Sequence, residues 1–175
     1  MSVVLTAPER LALMLKDCDE RVTAAYPLYV TDIDFDFLRP AWIVTAGEAS
    51  YALNSETSVS QASIDEDYEL TYVGHIATGT EQDWNSYYER VAREIANNAV
   101  VYLLRAPNLQ FPNLRGLADN ALPPLNGVLW SRPQRRSQIT LMTRESLEQP
   151  FWGFSISLSV RSMLSVDEDE FIVTG

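Results

Sequence analysis

Between Phe151 and Ser162 the chain alternates without a break. Trp152, Phe154, Ile156, Leu158 and Val160 fall on one side, and Gly153, Ser155, Ser157, Ser159 and Arg161 on the other. Successive side chains of a strand point to opposite faces, so a period of two over this length predicts a strand with an apolar face and a small, polar one. One strand cannot bury such a face by itself. The chain must therefore build a sheet around it, and something amphipathic must cover that sheet.

Two stretches have the period of a cover. Thr6-Ala7-Pro8-Glu9 is a capping box, in which the Thr hydroxyl takes an orphan N–H of the first turn and Glu9 reaches back. Leu11, Met14, Leu15, Cys18 and Val22 follow at spacings of three and four, one stripe of a helix. Thr80-Glu81-Gln82-Asp83 opens a second and longer helix, about 81 to 104, with acids at the positive end of its dipole. Its buried stripe is Trp84, Tyr88, Val91, Ile95 and Tyr102. Further strands are predicted from Leu28 to Phe37, where Ile33, Phe35 and Phe37 alternate with aspartates, and from Ala41 to Thr45. Another runs from Tyr68 to Ile76, with Tyr68, Leu70, Tyr72 and Ile76 on one face and Glu69, Thr71, Val73 and His75 on the other. Leu125 to Trp130 and Gln138 to Thr143 read as strands joined by a basic turn, and Gly47 to Asp67 as a long polar excursion or irregular hairpin. A chain of 175 residues suits one domain. The expected class is α+β over residues 1–175, a mostly antiparallel or mixed sheet packed against two amphipathic helices.

Two segments fit no element. Residues 105–124 have no period, yet carry Leu109, Phe111 and Leu114 among prolines and asparagines. A long irregular stretch with apolar anchors is expected to lie on something, and a neighbouring subunit is the natural candidate. Residues 166–175 form an acidic tail. Arg132, Arg135 and Arg136 form a basic cluster in a chain of formal net charge −11. They are either a solvated turn or a contact with an acidic neighbour, such as another copy's Asp-rich face.

Catalytic chemistry finds little to use. His75 is the single histidine and Cys18 the single cysteine, which leaves multi-histidine metal sites and Cys-His nucleophiles without their parts. Asp32-Ile33-Asp34-Phe35-Asp36 begins like a calcium loop, but Phe37 stands where the loop needs glycine and Ile43 where it needs an acid. No phosphate-binding glycine loop occurs. No catalytic residue, metal or cofactor is therefore expected, although paired carboxylates keep a hydrolase open. The acidity repels phosphate backbones and anionic lipid, and lets a polyanion slide past without sticking. The longest useful apolar run, Ala99 to Leu104, is far short of a membrane span, and the N-terminus lacks the pattern of a signal peptide. The expectation is a protein made in a reducing compartment, without a membrane partner.

The order of a short N-terminal helix, strands with a Ser/Thr-rich excursion, the strand Tyr68 to Ile76 leading into the helix Trp84 to Tyr102, and the last strand Trp152 to Val160 resembles the tail terminator, or tail-completion, proteins of long-tailed bacteriophages. The resemblance covers most of the chain and is one of pattern and size. It implies a structural virion protein at the tail–neck junction, made in the host bacterial cytoplasm, that forms a homohexameric ring on the tail tube. Its partners would be further copies of itself, the tail tube protein and neck or connector proteins, with DNA only passing through the lumen. The family has no catalytic residues to carry over. Residues 105–124 and the acidic tail depart from its pattern. Another head–tail connector, a carboxylate-dependent hydrolase and a monomeric binding module are the alternatives.

Overall fold

The computed structural model describes residues 6–27, 39–53, 61–76, 82–107, 109, 127–143 and 150–165. The strand expected between 28 and 37, the anchors Phe111 and Leu114 and the acidic tail lie outside the described residues.

Helix α1 (Ala7–Asp17) begins as its sequence dictates. Thr6 N–H donates to Glu9 Oε2 at 2.9 Å while the Thr6 hydroxyl accepts from Glu9 N–H at 3.4 Å. The following strands are β1 (Ala24–Pro27), β2 (Ala41–Leu53) and β3 (Gln61–Ile76), and helix α2 spans Gln82–Arg105. Strands β4 (Val128–Arg136), β5 (Thr140–Met142) and β6 (Phe151–Ser165) complete the described chain. They form one sheet in the order β1-β2-β3-β6-β4, with β5 also pairing β6. Only β1 and β2 run parallel, so the sheet is mixed and the class is α+β, as expected.

Of the two readings of Gly47 to Asp67, the irregular hairpin is the one present, since β2 and β3 pair from Ala41↔Val73 out to Leu53↔Ala62 with one register shift at Ala46/Ala49. Its Ser/Thr-rich composition looks like loop because neither face of that stretch is apolar, and backbone pairing needs no apolar face. The basic turn is strand β4 itself, so Arg132, Arg135 and Arg136 are strand residues. Strand β1 had no signal beyond Ala24, Ala25 and Tyr26, too short to show a period.

Both helices cover the same face of the sheet. Leu11, Met14 and Leu15 of α1 and Val91, Ile95, Ala99, Tyr102 and Leu103 of α2 share a core with Trp42, Val44, Tyr68, Leu70 and Tyr72. Phe154, Ile156, Leu158 and Val160 of β6 belong to it as well. Trp42 pairs with Tyr72 and Tyr72 with Phe154 across three adjacent strands. Their rings meet edge-on at 5.4 Å and 5.5 Å for Trp42, and stacked at 4.9 Å for Tyr72 and Phe154. Each such contact adds about 0.5–1.5 kcal/mol to the burial of the rings. Ala92, Ala96 and Ala99 let α2 lie close to the sheet.

An ionic staple joins the end of α1 to α2. Asp19 accepts from Arg21 Nε at 3.0 Å and Nη2 at 2.8 Å, and from Asn98 Nδ2 at 2.8 Å, while Arg21 Nη1 reaches Glu94 at 2.6 Å. Burial alone would push the Asp19 carboxyl up. The hydrogen bonds from Arg21 and Asn98 outweigh it and hold the group at about 2.

Candidate functional site

Among the described residues, the face of the sheet turned away from the helices carries no helical cover. At one end Ile43, Val73 and Phe151 close over it with Met142, and the Arg39 guanidinium lies 5.6 Å above the Phe151 ring. From Ser155 onward the face is polar and open. The period of two places the alternate residues of three neighbouring strands there, and the register sets them in rungs. Glu69, Ser157 and Arg135 form one rung, Asp67, Ser159 and Arg132 the next, and Asp65, Arg161 and Trp130 the third.

The first two rungs form an ordered charge pattern: acids on β3, serines on β6 and arginines on β4. Two bulges in β4, at Val128/Trp130 and Pro133/Arg135, adjust its phase so that Trp130, Arg132 and Arg135 all face outward. In the third rung Arg161 forks onto Asp65 with contacts of 2.6 and 2.8 Å, which holds the Asp65 carboxyl below its usual range. The Trp130 ring lies between Arg161 and Arg132, whose guanidinium carbons stand 5.1 and 4.7 Å from its centre. In the other two rungs Asp67, Glu69, Arg132 and Arg135 are exposed and make no ion pair within the described residues. A depression of about 520 Å³ lies among them, lined by Gly47, Asp67, Glu69, Gln134, Arg135 and Ser157. Gly47 lines its β2 side, and a Cβ there would stand 2.9 Å from the Asp67 carbonyl oxygen.

The residues singled out in the sequence separate here. Arg132 and Arg135 belong to the open face. Arg136 does not, because it pairs opposite Ile156 and its guanidinium lies 6.0 Å from the Phe154 ring on the rim of the helix-covered side. Leu109 is not a surface anchor. It is fully buried with the α1 and α2 core residues, takes a left-handed φ of 56° and accepts a 3.5 Å hydrogen bond from buried Arg10. An apolar residue with that burial is spent inside its own chain. His75 also changes sides: a register shift between Val73 and Ile76 turns it onto the helical face, where it stacks on Tyr88 of α2 at 4.6 Å. Burial, with a contribution from Arg39, pushes its pKa down. Asp65, Asp67, Glu69 and Trp130 were not singled out in the sequence, because only the inter-strand register brings them beside the arginines.

Among the described residues, no group of three or more His, Cys, Asp or Glu side chains could hold a metal ion, and no helix is long and apolar enough to cross a membrane. The chain matches no known protein-family model, and a search of curated proteins finds no match.

Proposed function

We propose that this chain is a structural virion subunit, a ring-forming tail terminator that caps the tail tube at the tail–neck junction of a long-tailed bacteriophage. The observation that carries this reading is a tongue at one end of the sheet. Beyond Thr45 the strands β2 and β3 run on with the end of β6, which β4 flanks as far as Val128, and residues 46–52 are exposed throughout, with Tyr51 70% exposed. None of residues 46–52, 62–67 or 161–163 enters the buried core. Ordering that much chain costs about 1–2 kcal/mol per residue in backbone entropy, and the monomer offsets it only with half-buried residues at 62–66 and 161–162. A neighbour in a ring, packed along the tongue, offsets it. The order of a helix, a long hairpin, a second helix and a final core strand supports the same reading, and the charge of −11 suits a lumen that DNA crosses without adhering.

Electron microscopy and light scattering test it together. The full chain is expected to form rings of six 19.7 kDa copies that seat on the ends of tail tubes. A variant whose hairpin is cut back to the Ala49↔Glu66 rung, which keeps Gly47 and Asp67, should stay folded and lose the ring. A full-length protein that stays monomeric and does not seat on tubes sinks the reading. Rings that bind only the head side transfer it to another connector.

A rival function would use the depression. Asp67 and Glu69 are the carboxylates a hydrolase would need there, and both are exposed. Turnover of a glycoside that ends when both are changed to amides would favour that rival.

A further inference from the structure

In its first two rungs the open face presents acids on β3 and arginines on β4, at matched heights, with nothing between them larger than serine, while the Asp65–Arg161 pair closes the third. A ligand for it must offer cations above β3 and anions above β4, two strand spacings apart, or roughly 9–10 Å. A polyanion is repelled by one row and a polycation by the other.

We propose that this face packs against the same face of a second copy of the chain, about a two-fold axis running along β6. The axis follows from the register. Two sheets face to face can be related by a two-fold lying along the strands or across them. A two-fold across the strands sets β3 over β3 and acid over acid. A two-fold along β6 keeps each rung at its own height and exchanges the two sides, so β3 of one copy lies over β4 of the other. Asp67 then meets the partner's Arg132, and Glu69 meets the partner's Arg135, because each pair shares a rung. Symmetry repeats both contacts, as an isologous interface requires.

The side chains have suitable lengths for this. Sheets packed face to face stand about 10 Å apart, with strands aligned to within about 30°. Arginine and the acids span such a gap from both sides, while Ser155, Ser157 and Ser159 leave the middle strip clear. The four charged groups are exposed and make no ion pair in the described chain, so their pairing across the axis breaks no internal salt bridge. This contact uses Asp67 at the base of the tongue but not the tongue's tip, and it is independent of the ring. It needs one partner copy only.

The test is a charge exchange read by sedimentation, with circular dichroism as the check on folding. The tongue-shortened chain is the background, so that a failure of the ring reading and of this one are told apart. It is expected to dimerise, and raising salt from about 0.05 to about 0.5 M should weaken the dimer about tenfold, since such pairs are screened. Glu69→Arg alone and Arg135→Glu alone should each weaken it at least about tenfold, and the two together should restore it. In a Cys18→Ser background, Ser157→Cys should couple to its own copy with a short bis-maleimide, because that residue sits on the axis. A chain that is monomeric at about 0.1 mM in low salt, a double exchange without recovery, or assembly that does not stop at two overturns the proposal.

Discussion

Asp19 shows how one buried carboxylate can serve the fold without serving chemistry. It is 7% exposed, ringed by donors from Arg21 and Asn98, and held at about 2, ionised wherever the protein works. A carboxylate held below its unfolded value stabilises the folded chain above that value, and the contribution is lost as pH falls through the folded pKa. Here the window runs from about pH 4 down to about pH 2, and the shift is worth roughly 2 kcal/mol. Asp19→Asn should therefore lose about that amount at neutral pH and flatten the acid limb between those limits, as measured by urea unfolding at each pH. An unchanged acid limb would mean that the staple carries no such load. Neither Asp19 nor its partners had a period or a motif to mark them, because the contact closes only when α2 folds over the end of α1.

At the scale of elements, apolar period and chain punctuation were the legible part. The capping box at Thr6, the long helix and the β6 alternation all appear where their residues require them. What failed to show was anything set by the partner strand. The polar half of the β2–β3 hairpin looks like loop until the two strands are laid side by side, and the arginines of β4 look like a turn because Pro133 and two bulges break their alternation. His75 was misplaced by the shift between Val73 and Ile76, which has Gly74 at its heart. A Cβ on Gly74 would stand 2.5 Å from the Trp152 carbonyl oxygen and 2.7 Å from the Tyr72 ring. Gly74→Ala should cost about 3 kcal/mol for that overpacking and should disturb the near-ultraviolet signal of the Trp42–Tyr72–Phe154 cluster. If stability is unchanged, the bulge is free to relax and the placement of His75 is not fixed by it. Of the candidate site, only Arg132 and Arg135 were visible beforehand, and the rungs that give them meaning exist only in the sheet.

For the molecule as a whole, the division between a covered half and a bare tongue predicts unequal stability along single strands. Amides of β2 from Ala41 to Thr45, beneath α1 and in the buried core, should exchange at the rate of global unfolding, whereas those from 46 to 53 should exchange faster by local opening. Assembly into a ring should slow the second group and leave the first alone, which hydrogen exchange on free and assembled protein can read. Uniformly slow exchange in the free chain would show that the tongue is already covered.

The strand β6 gives every second residue to the core and every other one to the open face, and these two sets answer to different demands. Ser155, Ser157 and Ser159 can drift, and with them the choice of partner, while Phe154, Ile156 and Leu158 keep the chain folded. Insertions and deletions have no such freedom. Removing one residue from the middle of β6 would exchange the two sets beyond that point, setting hydroxyls beneath α2 and leucine into water. Lineages of this sequence should therefore vary by substitution within β6 and never by length.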